Sequence, residues 1–187
     1  MLIVGLATRV RAVQRLDDAL EAFAGPHRER WRRLAGAATL TGEKFVHPVI
    51  GAGTASILYA ARAGPSLGFV LPLASASLGG IITHHLVKFV YHRPRPEVAL
   101  RRDKSEAAFP SGHTTNATAV VTTCGYVLVR TGLMPLPVAV AAVIALCLTT
   151  GASRVALGWH WGTDVLGGWF AGAGVAALCA YLFEILR

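Results

Sequence analysis

TGLMPLPVAVAAVIALCLTTGAS, residues 131–153, runs for 23 residues without an Asp, Glu, Lys or Arg. An α-helix needs about 20 apolar residues to cross the hydrocarbon of a bilayer, so this stretch is long enough to span one. Four more runs are equally free of charge: residues 45–61, 63–87, 107–129 and 165–183. The first of them, FVHPVIGAGTASILYAA, is the shortest and contains Pro48, although Gly and Pro are commoner in membrane helices than in soluble ones. A soluble bundle would need polar faces recurring at a period near 3.6, which these segments lack. The composition agrees: of 187 residues, 53% are hydrophobic and only 15% charged, where soluble chains carry about a quarter charged. The expected fold is all-α, a polytopic membrane helical bundle of about five transmembrane helices.

The first 44 residues read differently. Val10, Val13, Leu16, Leu20 and Phe23 form an apolar stripe among Arg9, Arg11, Arg15, Asp17, Asp18 and Glu21, the pattern of an interfacial amphipathic helix lying on the membrane surface. HRERWRR, residues 27–33, adds a second headgroup contact through Trp31. MLIVGLATRVR does not match a cleavable signal peptide, its apolar part being short and its positive charge on the wrong side. With no internal repeat or linker, one domain is expected over 1–187: an amphipathic region, 1–44, and a transmembrane catalytic core, 45–187.

Cys124, Cys147 and Cys179 all fall inside the apolar runs without CxxC spacing, and read as small core residues instead of a disulfide framework or zinc site. The net charge of +8 comes without a nucleic-acid module. Anionic lipid, not nucleic acid, is the expected partner.

If five spans alternate in direction, four polar stretches meet on one side of the membrane. They are KFVYHRPRP (88–96), PSGH (110–113), SR (153–154) and HWGTD (160–164). Lys88, Arg95 and Arg154 gathered in one place repel one another unless an anion joins them, and guanidinium groups suit phosphate oxygens through paired hydrogen bonds. Ser111 and Gly112 enter a helix whose free N–H groups and dipole favour an anion, and Gly112 permits a close backbone approach. His160 and Asp164, four residues apart, share a helical face. An Asp accepting the Nδ1 proton fixes the imidazole tautomer and leaves Nε2 free as a nucleophile. An ion pair sealing a helix end is the structural alternative, and the neighbouring cations and His113 favour catalysis.

Lys88, six residues, Arg95-Pro96; Pro110-Ser111-Gly112-His113; and Ser153-Arg154, five residues, His160, three residues, Asp164 together resemble the three-part signature of the type 2 phosphatidic acid phosphatase superfamily, which also contains vanadium haloperoxidases. The blocks are separated by 13 and 39 residues, and the resemblance covers about residues 45–183. It implies a phosphatase that uses no metal or other cofactor and passes through a phosphohistidine. By position, His160 attacks phosphorus, Asp164 orients it and His113 protonates the departing oxygen. Lys88, Arg95, Ser111, Gly112 and Arg154 hold the phosphoryl oxygens. Many members have six spans, so this chain resembles a short form lacking the first.

The expected substrate is a lipid phosphate such as undecaprenyl diphosphate, phosphatidylglycerol phosphate or phosphatidate. Two other classes compete: a vanadate-using haloperoxidase, for which five apolar spans have no use, and a non-catalytic lipid-phosphate binder, which has no use for an oriented nucleophile. His84 and His85 could line the pocket or be packed structural residues. His92, Arg93, Arg101, Arg102 and Lys104 could attract a headgroup or be solvated. Gly168 and Gly172 form GxxxG, suited to close packing within the fold, with a homodimer possible. His27 and His47 receive no role. On orientation two readings conflict. The active-site side carries 15 of the 18 Lys and Arg residues, leaving Arg62, Arg130 and Arg187 opposite, which points it to the cytoplasm. The resemblance favours the outer face of the cell membrane, and that is the expectation adopted.

Overall fold

The structure is a computed structural model, and it describes residues 11–43, 45–62, 66–100 and 107–187. The expectations for Arg9, Val10, Arg101, Arg102 and Lys104 lie outside those residues. Among the described residues there is no strand. Seven helices carry the fold among the described residues: α1 Arg11–Ala24, α2 Arg28–Thr39, α3 Val46–Ala60, α4 Ser66–Val90, α5 Gly112–Arg130, α6 Leu136–Ala156 and α7 Gly162–Leu186. A single helical turn, Glu97–Leu100, lies between α4 and α5.

Each charge-free run became one helix, α3 to α7. By length and composition three are long and apolar enough to cross a membrane: Leu67–Val90, Leu136–Ala156 and Gly162–Leu186. The other two fall short for separate reasons. α3 has 15 residues and reaches only about 22 Å at 1.5 Å per residue. α5 has 19 residues and is rich in threonine. It is the central helix, packed against α3, α4, α6 and α7. A helix sheltered by its neighbours is not selected for lipid contact, and its hydroxyls bond back along its own backbone, Thr115 to the Ser111 carbonyl at 2.9 Å and Thr123 to Ala119 at 2.7 Å.

The apolar core lies at the α4–α5–α7 junction, where Phe69, Leu73, Val120, Val127 and Phe183 are buried with Cys124 and Cys179. The three cysteines are buried and free. α5 and α7 touch closely because glycine removes the side chains between them. A Cβ on Gly172 would stand 2.5 Å from the Thr115 carbonyl oxygen, and one on Gly168 2.8 Å from Thr114 Cβ. The GxxxG pair is therefore used inside the chain.

α1 and α2 pack on α6 and α7. Leu16, Phe23 and Leu34 point outward, 53%, 63% and 76% exposed, as an interfacial helix requires, and Phe23, His27 and Trp31 form one aromatic cluster with ring centroids 5.3–5.9 Å apart. Asp17 departs from expectation. Its side of the helix faces the protein instead of water, and it is buried at 2% exposure.

Candidate active site

The connection from α6 to α7 is set by glycine. α6 ends in a Schellman motif: the Gly158 N–H bonds to the Val155 carbonyl at 2.9 Å and the Trp159 N–H to the Arg154 carbonyl at 3.0 Å. Gly158 sits at φ +72, a left-handed conformation that disfavours other residues. The motif throws Trp159 and His160 over the end of α6, where Arg154 lies. Trp159 then offers its ring to both guanidinium groups, with Arg154 at 5.5 Å and Arg95 at 5.9 Å from the centroid.

Here the helix ends named by the sequence meet. A cavity of about 690 Å³ is lined by Lys88 and His84 from α4, Arg95, Gly112 and His113 at the start of α5, Arg154 from α6, and His160. Six of the eight expected site residues therefore face one cavity. The other two, Ser111 and Asp164, stand behind its wall, both fully buried. Ser111 departs from its expected phosphate-holding place: its N–H bonds to the Asp164 carbonyl at 3.0 Å, and its hydroxyl accepts from Thr114 at 3.0 Å. These bonds tie the start of α5 to the start of α7, so Ser111 fixes the wall that carries Gly112 and His113.

Asp164 lies behind His160, its Oδ2 3.5 Å from the ring Nδ1. That is within ion-pair reach but longer than a hydrogen bond. Two closer donors explain the gap: Oδ2 accepts the Trp161 N–H at 2.9 Å, half of a capping box, and Oδ1 accepts Arg93 Nη1 at 2.7 Å. The carboxylate is held behind the ring by these two bonds. Burial pushes the His160 pKa down to about 4; Asp164 opposes this, while Arg154 and Arg95 add to it. The ring is consequently neutral at physiological pH, the form in which a nitrogen can attack.

His113 has a partner that sequence reading missed. Its Nε2 stands 3.1 Å from Glu43 Oε1, and Glu43 also borders the cavity. Glu43 is the last acidic residue before the first charge-free run, but nothing in its spacing marks it. Thr39 was missed for the same reason; it accepts Arg154 Nη1 at 2.8 Å, while the buried Arg154 Nε makes no hydrogen bond. His84 and His85 both border the cavity. His84 donates Nδ1–H to the Gly80 carbonyl at 2.9 Å, and a Cβ on Gly112 would meet its ring at 3.1 Å. The close approach for which Gly112 is needed is thus to His84. Arg93 departs from the expected solvated loop: it is turned inward, donating to Asp164 and to Asp17.

Residues 69–187 match the family model of the PAP2 superfamily. The chain is 31% identical over 178 residues to phosphatidylglycerophosphatase B of Bacillus subtilis, covering 91% of this chain and 85% of that protein. The chain belongs to the PAP2 superfamily. A second relative, undecaprenyl-diphosphatase BcrC of Bacillus subtilis, is 33% identical over 119 residues, covering 61% of this chain and 55% of that protein. The crystal structure of the transmembrane PAP2-type phosphatidylglycerolphosphate phosphatase from Bacillus subtilis superposes with a TM-score of 0.82 at 28% identity, covering 100% of this chain and 93% of that one. This PAP2 protein is thus a membrane lipid phosphatase, with an all-helical fold that a solved transmembrane member shares.

Proposed function

We propose that the protein hydrolyses a lipid phosphomonoester or diphosphate through a phosphohistidine, without a metal ion. The observation that carries this is the buried His160 with Asp164 behind it and Lys88, Arg95 and Arg154 around the same cavity. His160 Nε2 attacks phosphorus as the bond to the leaving oxygen breaks, and His113 gives that oxygen its proton. In the second step His113 takes a proton from water, whose oxygen attacks the phosphohistidine and releases phosphate and His160. The three cations and the Gly112 backbone N–H stabilise the charge spread over the phosphoryl oxygens in both transition states.

Lys88, Arg95 and Arg154 supply the positive charge at the cavity. The names of the relatives make phosphatidylglycerol phosphate and undecaprenyl diphosphate the leading substrates, with phosphatidate third. In detergent, phosphate release from these three lipids should continue in excess chelator and be inhibited by vanadate, which mimics five-coordinate phosphorus. A strict magnesium requirement would overturn the mechanism.

The cavity is proposed to face outward from a multi-pass protein in the cell membrane. Of the basic residues that argued otherwise, Arg28 and Arg93 are ion-paired within the fold and Lys88, Arg95 and Arg154 line the cavity. These five therefore report on local chemistry more than on topology. The native cysteines are buried, so Glu97→Cys should be labelled selectively by an impermeant thiol reagent on intact cells. Protection of that cysteine until the membrane is permeabilised would reverse the orientation.

A further inference from the structure

Arg93 sits between two carboxylates drawn from opposite ends of the chain. Its Nη1 donates to Asp164 Oδ1 at 2.7 Å and its Nη2 to Asp17 Oδ2 at 2.6 Å. Asp17 also reaches the first turn of α7, where Oδ1 accepts the Thr163 N–H at 3.0 Å and Oδ2 the Thr163 hydroxyl at 2.6 Å. The approach is close enough that a Cβ on Gly162 would strike Leu20 of α1 at 2.5 Å. The cluster is desolvated: Asp17 is 2%, Arg93 14% and Asp164 0% exposed. A buried charge set of this kind is costly unless it is complete, and α1 lies outside the region that the family model matches.

We propose that Asp17, on the N-terminal surface helix, is a positioning residue of the catalytic dyad, acting through Arg93 on Asp164. The proposal rests on the phosphohistidine reading above. With Arg93 alone beside it, Asp164 would be neutralised and would offer His160 little. Asp17 supplies the second carboxylate, so the cluster of three keeps one net negative charge behind the ring. That charge stabilises the imidazolium character that His160 gains as its nitrogen bonds to phosphorus. The other charged and titratable groups near His160 are Arg154 of α6 and Arg95, with Lys88, His84 and His85 of α4, His113 of α5 and Glu43 across the cavity. None of these is altered by changing Asp17.

Asp17→Asn keeps an acceptor for the Thr163 N–H but puts an amide NH2 where Oδ2 accepted from Arg93 and the Thr163 hydroxyl, so the pH–rate profile, compared with that of Thr163→Val, is the readout that separates charge from architecture. We expect kcat to fall about tenfold with KM within about twofold, and the acid limb of the pH–rate profile to move down by about 0.5 pH unit or more as the ring loses a negative neighbour. Arg93→Gln leaves two carboxylates and should move the acid limb the opposite way, upward. Thr163→Val changes hydrogen bonds but no charge and should leave the limb in place. A merely structural cluster would lower activity in all three with the limb unmoved, and that result, or an unchanged kcat for Asp17→Asn, overturns the proposal. His160→Ala assayed in parallel keeps the two readings apart: turnover without His160 defeats the phosphohistidine mechanism, whereas its loss with an unaltered Asp17→Asn defeats only the role of Asp17.

Discussion

His160→Ala should abolish phosphate release from every lipid phosphate, with a loss of at least about 10⁴-fold, the scale on which removing the nucleophile of a covalent mechanism falls. The chain should still fold, because the substitution is made in a cavity wall, where the ring's Nδ1 makes no hydrogen bond within the fold. Asp164→Asn should be severely impaired as well. An amide can present its NH2 to Nδ1 and hold the wrong tautomer, and it leaves Arg93 and the Trp161 N–H with a weaker acceptor. The pH dependence of the wild type supplies an independent check. Burial lowers the His160 pKa to about 4, so the attacking nitrogen is unprotonated above that value and is lost only as pH falls through it. The acid limb of kcat/KM should therefore lie well below the 6.5 of an ordinary imidazole. Near-normal turnover by His160→Ala on all lipids tested would sink the mechanism.

The bundle was legible in the sequence because a bilayer imposes a rule that charge alone reveals: each of the five charge-free runs is one helix. Their alternation was also enough to predict that Lys88, His113, Arg154 and His160 meet, and they share one cavity. The failures have a common physical origin. Glu43, Thr39 and Asp17 lie 70, 115 and 146 residues from the groups they touch in α5, α6 and α7, and no periodicity registers a contact of that range. Asp17 illustrates the difficulty. Its place on the polar side of an amphipathic stripe is correct for a helix on water, but that side of α1 faces Thr163 and Arg93. Ser111 is the converse case: PSGH was correctly placed at a helix start, but whether a cap residue turns to the cavity or to the neighbouring helix depends on packing with α7, which local sequence does not encode.

His113→Ala should cost activity in proportion to how badly the leaving group needs a proton. A phosphomonoester of an alcohol expels an alkoxide, a strong base, whereas a lipid diphosphate expels a phosphate monoester and p-nitrophenyl phosphate a phenolate, both of which depart tolerably unaided. General acid catalysis is typically worth about 10² to 10⁴ in rate, so phosphatidate and phosphatidylglycerol phosphate should lose most of that and the other two distinctly less. His113 stands at the start of α5, where burial and Arg154 push its pKa down to about 4 and Glu43, 3.1 Å from its Nε2, opposes them; the negative charge of a bound phosphate has to raise it further for the ring to carry the proton that it donates. Glu43→Gln should accordingly show the same ranking of substrates with smaller losses, because it lowers the fraction of His113 that carries the proton without removing the group. An equal loss for His113→Ala across good and poor leaving groups would assign this histidine to phosphate binding instead, since a residue that only holds the phosphoryl oxygens stabilises both reactions alike.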